Sequence, residues 1–212
     1  MKHTLSALVL LSAVLLPALA TAQELGAKGD VVFSADRMMG ITGTHVSGEF
    51  GPGDYENDWT SFSFGWRGSP ESSPFDVPRL SFDYLIIDHL SIGGSLGYFA
   101  VNPDEGAEYS AFLFNPRVGY ALAFGKVVGM WPRGGFTYHS LSIDAGDDDV
   151  EESGFALSLE CPFTFSPTQH FAFHVGPTFD IDMFGERDPS PVDSGDRKFR
   201  TFGLNAGLLG WF

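Results

Sequence analysis

Three short motifs place an arginine directly behind a proline: Pro78-Arg79-Leu80, Pro116-Arg117-Val118 and Pro132-Arg133-Gly134. In each, an aromatic residue follows the arginine three positions later, Phe82, Tyr120 and Phe136. In an extended chain alternate side chains point to opposite faces, so each arginine and its aromatic face opposite ways. Counted from the nearest candidate turns, Arg79 lies nine residues from Asp88, Arg117 nine from Lys126 and Arg133 eight from Gly125. Three guanidinium groups at one height in an enclosed interior repel unless carboxylates lie among them. Glu160, seven residues from Pro167, has the matching parity and height. Asp180 follows somewhat higher, with Asp83 as a further candidate. The expected result is a polar belt of Arg79, Arg117, Arg133, Glu160 and Asp180, with Glu160 touching Arg133, Arg117 or both. Paired and buried, such a belt is a structural plug. Left open, it is an anion-selective or gated constriction. The plug is the preferred reading.

Other chemistry has thinner support. His139 and His174 are present, as are Ser140, Ser142 and Ser158, but none sits in a nucleophile motif. No catalytic residue is assigned, and a lipid-modifying enzyme ranks third among the functional readings. The run DAGDDDVEE (144–152) offers hard oxygen donors, with Asp144, Asp147, Asp149 and Glu151 as weak candidates for a divalent cation. Its spacing and glycine do not fit a calcium-binding helix–loop–helix, so a solvated charge run is preferred. Weak divalent bridging to lipopolysaccharide phosphates is the intermediate case. No cofactor is expected.

The elements that would carry the belt are strands. Period-two alternation dominates: Phe62, Phe64 and Trp66 oppose Ser61, Ser63 and Gly65, and Leu80, Phe82, Tyr84 and Ile86 oppose Arg79, Ser81 and Asp83. The same pattern recurs through Leu90–Tyr98, Phe112–Phe124, Phe155–Phe165, Phe171–Ile181 and Phe202–Phe212. Each strand has one rich apolar face and one face of Gly, Ser, Thr and scattered charge. A soluble sandwich would turn the apolar face inward, and a membrane barrel would turn it to lipid. Three features favour lipid. The strands approach the ~9–11 residues that cross a bilayer with tilt. The polar faces suit a crowded lumen. Short connections at Asp88-His89, Gly125-Lys126 and 166–170 alternate with long, mostly acidic ones at 67–78, 102–109, 141–151 and 185–197. Pro116, Pro132 and Pro162 interrupt the pattern. Proline cannot donate to a ladder, so β-bulges are expected there.

The N-terminus reads as an export signal: Lys2, an apolar run over Leu5–Leu16, and small residues at Ala20 and Ala22 before a cleavage ahead of Gln23. Without Lys2 the mature chain carries 11 basic against 27 acidic side chains, which makes nucleic acid an improbable partner. The single Cys161 excludes an internal disulfide. The chain ends on Trp211 and Phe212.

With the export signal, FDYLIIDHLSIGGSLGY as strand–tight turn–strand, and a last strand closing on an aromatic, the sequence resembles the small bacterial outer-membrane-protein β-barrel family. That resemblance implies a closed antiparallel up-and-down transmembrane β-barrel in the cell outer membrane of a Gram-negative bacterium. It also implies that Phe212 on the lipid face is part of the signal read by the barrel-assembly machinery. The partners implied are outer-membrane lipid and lipopolysaccharide, and a monomer is expected.

Eight strands fall between residues 58 and 212, with the first ascending from the periplasm and 67–78 as an exterior loop. That leaves 31–47, also strand-like. As one added strand it would spoil the even count. It is therefore read as a hairpin around Asp36-Arg37, giving ten strands, or as an extra segment beside eight, the preferred number. The organisation is a signal peptide (1–22), an N-terminal strand or hairpin segment (23–57) and an all-β barrel (58–212). The expected role is a non-enzymatic, structural or surface-interaction barrel with acidic exterior loops. The alternative is a small solute channel.

Overall fold

The structure is a computed structural model. It describes residues 25–50, 53–65, 73–101, 108–144, 149–189 and 197–212. Twelve strand segments form one antiparallel sheet that closes on itself: β1 (Val31–Phe50), β2 (Gly53–Phe64), β3 (Arg79–Ile87), β4 (Leu90–Val101), β5 (Glu108–Tyr120), β6 (Leu122–Ala123), β7 (Val128–Met130), β8 (Arg133–Asp144), β9 (Asp149–Glu160), β10 (Phe163–Phe165), β11 (Phe171–Pro189) and β12 (Arg197–Trp211). They make eight barrel staves: β1, β2 with β3, β4, β5 with β6, β7 with β8, β9 with β10, β11, and β12. Pairing runs from neighbour to neighbour, and β12 pairs with β1 to complete the circle. Closure pairs the edges that hydrocarbon does not tolerate, except in the upper part between β2 and the end of β4, where no pairing occurs among the described residues.

The N-terminal segment corrects the expected strand assignment. Residues 31–50 form neither a hairpin at Asp36-Arg37 nor an extra segment; they are the first stave, paired with β12 on one side. On the other side the upper part pairs with β2 (Met39↔Phe64) and the lower part with β3 (Asp36↔Arg79). The stretch expected to ascend first is therefore the upper half of a descending second stave. The boundary drawn at 57/58 falls inside β2, and the even count survives without a tenth strand. The connection 67–78 is likewise not a plain exterior loop. It leaves the second stave between Gly65 and Arg79, and its last part, including a 3-10 turn at Pro74–Asp76, lies buried in the lumen. Residues 67–72 lie outside the described residues, as do 102–107, 145–148 and 190–196 of the acidic connections. Among the described residues β2 pairs with β1 alone.

Asp36-Arg37 has a different use. The β1–β12 register shifts between Ala35 and Met39, leaving Asp36, Arg37 and Met38 opposite Gly207. Arg37 adopts φ 55°, a left-handed conformation uncommon for a non-glycine residue. This bulge breaks the alternation, so the adjacent Asp36 and Arg37 are both buried. Gly207 is required opposite it. A Cβ there would collide with the Ala35 carbonyl and the His174 ring.

The prolines break ladders without bulging them. Pairing of β8 with β9 and of β7 with β10 keeps a single register across Pro132 and Pro162. The expected bulges at Pro116, Pro132 and Pro162 are absent: Pro132 and Pro162 fall where strand segments end, and Pro116 lies inside β5 with the same β5–β8 register on either side, Phe114↔Tyr138 and Arg117↔Gly135. Neighbouring amides compensate: Tyr120 N donates to Pro132 O, Trp131 N to Pro162 O, and Cys161 N to Pro177 O.

The outward face carries Phe33, Ile41, Phe62, Phe82, Leu96, Phe114, Val118, Phe136, Phe155, Phe163, Phe173, Leu204 and others, all exposed. A soluble protein rarely exposes an apolar surface of this extent. Inside, the filling is layered. A lower apolar cluster comprises Leu25, Val32, Leu85, Ala121, Trp131, Ala172, Leu209 and Trp211. An upper one comprises Val46, Phe75, Val77, Ala111, Leu113, Leu141, Ala156 and Phe199. Charged residues occupy the level between.

Candidate functional site: the charged belt across the lumen

Each belt residue sits where strand parity aims it inward. Arg79 and Asp83 lie on β3, Arg117 on β5, Arg133 on β8, Glu160 at the end of β9 and Asp180 on β11, all buried. The bulge in β1 adds Asp36 and Arg37. Among the described residues the belt thus holds four arginines and four carboxylates.

Three of the arginines are tightly paired. Arg117 grips Asp83 through two bonds of 2.6 and 3.1 Å and reaches Asp36 at 2.8 Å. Arg37 grips Asp180 at 2.7 and 3.2 Å and donates to Glu160 Oε1 from Nη2 at 2.9 Å and Nε at 3.2 Å. Arg133 meets Glu160 Oε2 at 2.8 Å and Asp36 at 3.4 Å. Glu160 and Arg117 are 3.5 Å apart. Glu160 thereby joins Arg37, Arg117 and Arg133, and Asp36 joins Arg117 and Arg133 from the other side. Neutral donors finish the carboxylates: Ser81 Oγ donates to Asp36 at 2.6 Å and Ser158 Oγ to Asp180 at 2.5 Å. His174 Nε2 lies 3.0 Å from Asp36 Oδ1. Such pairing offsets desolvation only when the geometry is good and spare lone pairs are used. Arg37, Arg117, Asp83 and Asp180 meet this, whereas among the described residues Asp36 Oδ1 and Arg133 Nε and Nη1 make no hydrogen bond. The cavity bordering Asp36, Arg133, Glu160 and His174 measures about 10 Å³, room for about one water.

Arg79 differs. The residue is 1% exposed, yet among the described residues its one hydrogen bond is a 3.5 Å bond from Nη2 to the Phe75 carbonyl, and Nε and Nη1 have no acceptor. The same carbonyl accepts from Arg37 Nη1 at 3.0 Å. Above it, the Phe75 ring packs edge-on against His139 at 5.1 Å and Phe199 at 6.4 Å between centroids. The insert carrying Phe75 is tied by Ser73 Oγ to Thr201 Oγ1 at 3.1 Å and by Ser61 Oγ donating to Asp76 Oδ2 at 2.5 Å. Asp76 Oδ1 has no partner.

Sequence reasoning did not foresee Asp36, Arg37 or the Phe75 insert. Continuing the alternation of Val32 and Ser34 would have turned Asp36 inward. Nothing local distinguishes a bulge from a turn at Asp36-Arg37, because both use a left-handed residue. The remaining candidates lie apart from the belt. His139 Nε2 sits 2.9 Å from Asp182 in the upper lumen, away from His174. Ser158 is spent on Asp180 and Thr137. Ser140 and Ser142 are half-buried on β8. Of the weak metal candidates, Asp144 and Glu151 are exposed strand-end residues, Asp149 pairs with Asp144 through the backbone, and Asp147 lies outside the described residues. Among the described residues no group of three or more His, Cys, Asp or Glu is placed to hold a metal ion.

At the lower end of the barrel Phe212 is exposed on the outward face, and its backbone exchanges two 3.0 Å bonds with Val31. The His170 ring stacks on it at 5.9 Å, and His170 Nδ1 is 2.9 Å from Trp211 O. Trp211 itself points into the lower lumen cluster.

No family model and no curated protein matches the sequence. Solved structures do. The outer membrane protein OprG from Pseudomonas aeruginosa aligns over 90% of this chain and 99% of its own, at 11% identity and a TM-score of 0.55. Neisserial surface protein A aligns over 88% of this chain and 99% of its own, at 14% identity and a TM-score of 0.50. Ail, the attachment invasion locus protein of Yersinia pestis, aligns over 87% and 99% at 16% identity and a TM-score of 0.42. The chain therefore has the fold of the small bacterial outer-membrane β-barrels. That fold and its apolar outward face place it in the outer membrane.

Proposed function

We propose that this small outer-membrane β-barrel is a closed, non-enzymatic stave barrel whose role is structural or surface-interacting, with its acidic connections presented to the cell exterior. One observation supports this above the others: seven charged side chains, Arg37, Arg117, Arg133, Asp36, Asp83, Glu160 and Asp180, are joined in ion pairs across the lumen, between two apolar layers, with Arg79 buried beside them. Ions crossing it would have to separate buried pairs, each costing several kcal/mol to break. An eight-stranded barrel has an interior just wide enough for its own side chains, consistent with this filling. Strand ends run toward the acidic stretches 102–109, 141–151 and 185–197, where charge would meet lipopolysaccharide, bridging divalent cations or a surface partner. The barrel-assembly machinery reads Phe212 in this proposal, and the barrel is a monomer.

The test is electrical. Refolded protein in a planar bilayer should give no unitary conductance at moderate voltage. Reproducible channel steps would replace this reading with the small solute channel, and the belt would then act as its gate.

A further inference from the structure

We propose that the outer half of the lumen is a binding site for a small amphiphilic anion, a monocarboxylate on an aromatic or aliphatic body, and that Phe75 of the chain's own insert occupies that site in this structure. The proposal rests on the barrel fold alone and goes beyond the closed-barrel reading.

The walls are apolar. Phe75 shares an apolar cluster with Val46, Leu113, Leu141, Ala156 and Phe199, and its ring meets Phe199 and the His139 ring edge-on. The floor is cationic. The Phe75 carbonyl oxygen points at two guanidiniums, Arg37 at 3.0 Å and Arg79 at 3.5 Å. A ring in an apolar cup with an acceptor oxygen on paired arginines is the outline of an arylalkanoate. The backbone carbonyl is an incomplete stand-in, because it brings one oxygen and no charge. Arg79 shows what is missing. Among the described residues it is fully buried, keeps Nε and Nη1 without acceptors, and has no carboxylate within ion-pair distance, whereas Arg37, Arg117 and Arg133 each have two or more. A carboxylate offers the second oxygen and the charge, and a charge-assisted bidentate pair is the stronger bond.

The insert is built to be displaceable. It interrupts the second stave, so its withdrawal leaves the β1–β12, β1–β3 and β3–β4 ladders intact. Beyond the apolar packing of Phe75 and Val77 and the Arg37 bond to the Phe75 carbonyl, it is held by hydroxyl contacts through Ser73 and Ser61, with no ion pair among the described residues, and its Asp76 keeps one buried oxygen unpartnered. Unsatisfied buried groups thus flank Phe75 at positions 76 and 79, each a free-energy cost that withdrawal of the insert relieves. When the insert leaves, Asp76 takes one carboxylate out as the ligand brings one in, so the charge of the lumen is conserved. On the closed-barrel reading the paired belt below makes the site a dead-end cup reached from outside; the site itself does not depend on that closure.

The experiment uses the mature chain refolded in lipid nanodiscs, with the heat-dependent gel shift as the control for folding. Wild type, Phe75→Gly, Arg79→Met and the double variant are titrated with 3-phenylpropionate and with its neutral amide, observed by saturation-transfer NMR and calorimetry. Phe75→Gly should bind the acid about tenfold or more tightly than the amide, a difference of about 1.4 kcal/mol. Wild type should bind the acid more weakly than Phe75→Gly, because the insert competes. Arg79→Met should abolish the preference for the acid in either background. Equal binding of acid and amide by folded Phe75→Gly would reduce the site to a plain hole and overturn the proposal. So would the absence of acid binding in both folded Phe75→Gly and wild type. Channel steps in the conductance experiment would sink the closed-barrel reading and leave this site standing.

Discussion

Replacing Glu160 with Gln should destabilise the barrel through one identifiable stranded charge. Arg37 keeps Asp180 and the Phe75 carbonyl when Glu160 is neutralised, and Arg117 keeps Asp83 and Asp36. Arg133 loses its 2.8 Å partner and retains Asp36 at 3.4 Å, with the Trp131 ring 5.1 Å beneath its guanidinium. The new amide also presents N–H groups to donors. Breaking a buried pair costs about 3–5 kcal/mol because the other charge is left unpaired. The residual Asp36 contact and the cation–π contact, worth roughly 0.5–2 kcal/mol, put the expected loss toward the lower end. The assay is urea unfolding in lipid vesicles, followed by tryptophan emission and the folded-band gel shift. The double variant Glu160→Gln/Arg133→Met carries the sharper test. If stranding is the cause, removing Arg133 as well should recover part of the loss, giving a coupling of about 1–3 kcal/mol. An unchanged midpoint for Glu160→Gln, or purely additive losses in the double variant, would refute the reasoning.

Three further outcomes can be checked. Gly207→Ala should lower the folded yield, because the added Cβ meets the Ala35 carbonyl and His174 behind the β1 bulge, whereas Gly43→Ala, with only ordinary contact to the Phe202 carbonyl at 3.9 Å, should fold normally; overpacking of this kind costs about 1–3 kcal/mol, read as the gel-shifted fraction. Deleting Phe212 removes both backbone bonds to Val31 at the closing seam and the stacking on His170, so it should reduce outer-membrane recovery in fractionated cells. Protease added to intact cells should cut within the acidic stretches and spare the Asp88-His89 and 124–127 turns, while cleavage at Asp88-His89 from outside would invert the topology.

The alternation of Phe82 with Arg79 and Asp83, of Phe114 with Arg117, and of Leu159 with Glu160 defined an all-β fold, and strand length, crowded polar faces and the alternation of short and long connections turned the apolar face outward. Side-chain parity in a strand is a local property of the backbone and survives any choice of partner. The same parity brought Arg79, Arg117, Arg133, Glu160 and Asp180 inward, and counting from the turns put them near one level, because register in tight hairpins follows directly from the turn. What the chain order could not convey was the path of the first two staves. Whether 31–50 is a strand, a hairpin or a bystander depends on β12, more than 150 residues away, and on a bulge at Asp36-Arg37 that has the same local chemistry as a turn. Whether 67–78 caps the barrel or enters it depends on space above the belt that only the assembled staves define. The partners of each charge were also decided there. Asp36 meets Arg117 and Arg133, Arg37 takes Asp180 and Glu160, and Arg79 is left to a carbonyl, because pairing in a buried layer is settled by which side chains reach one another across the closed lumen.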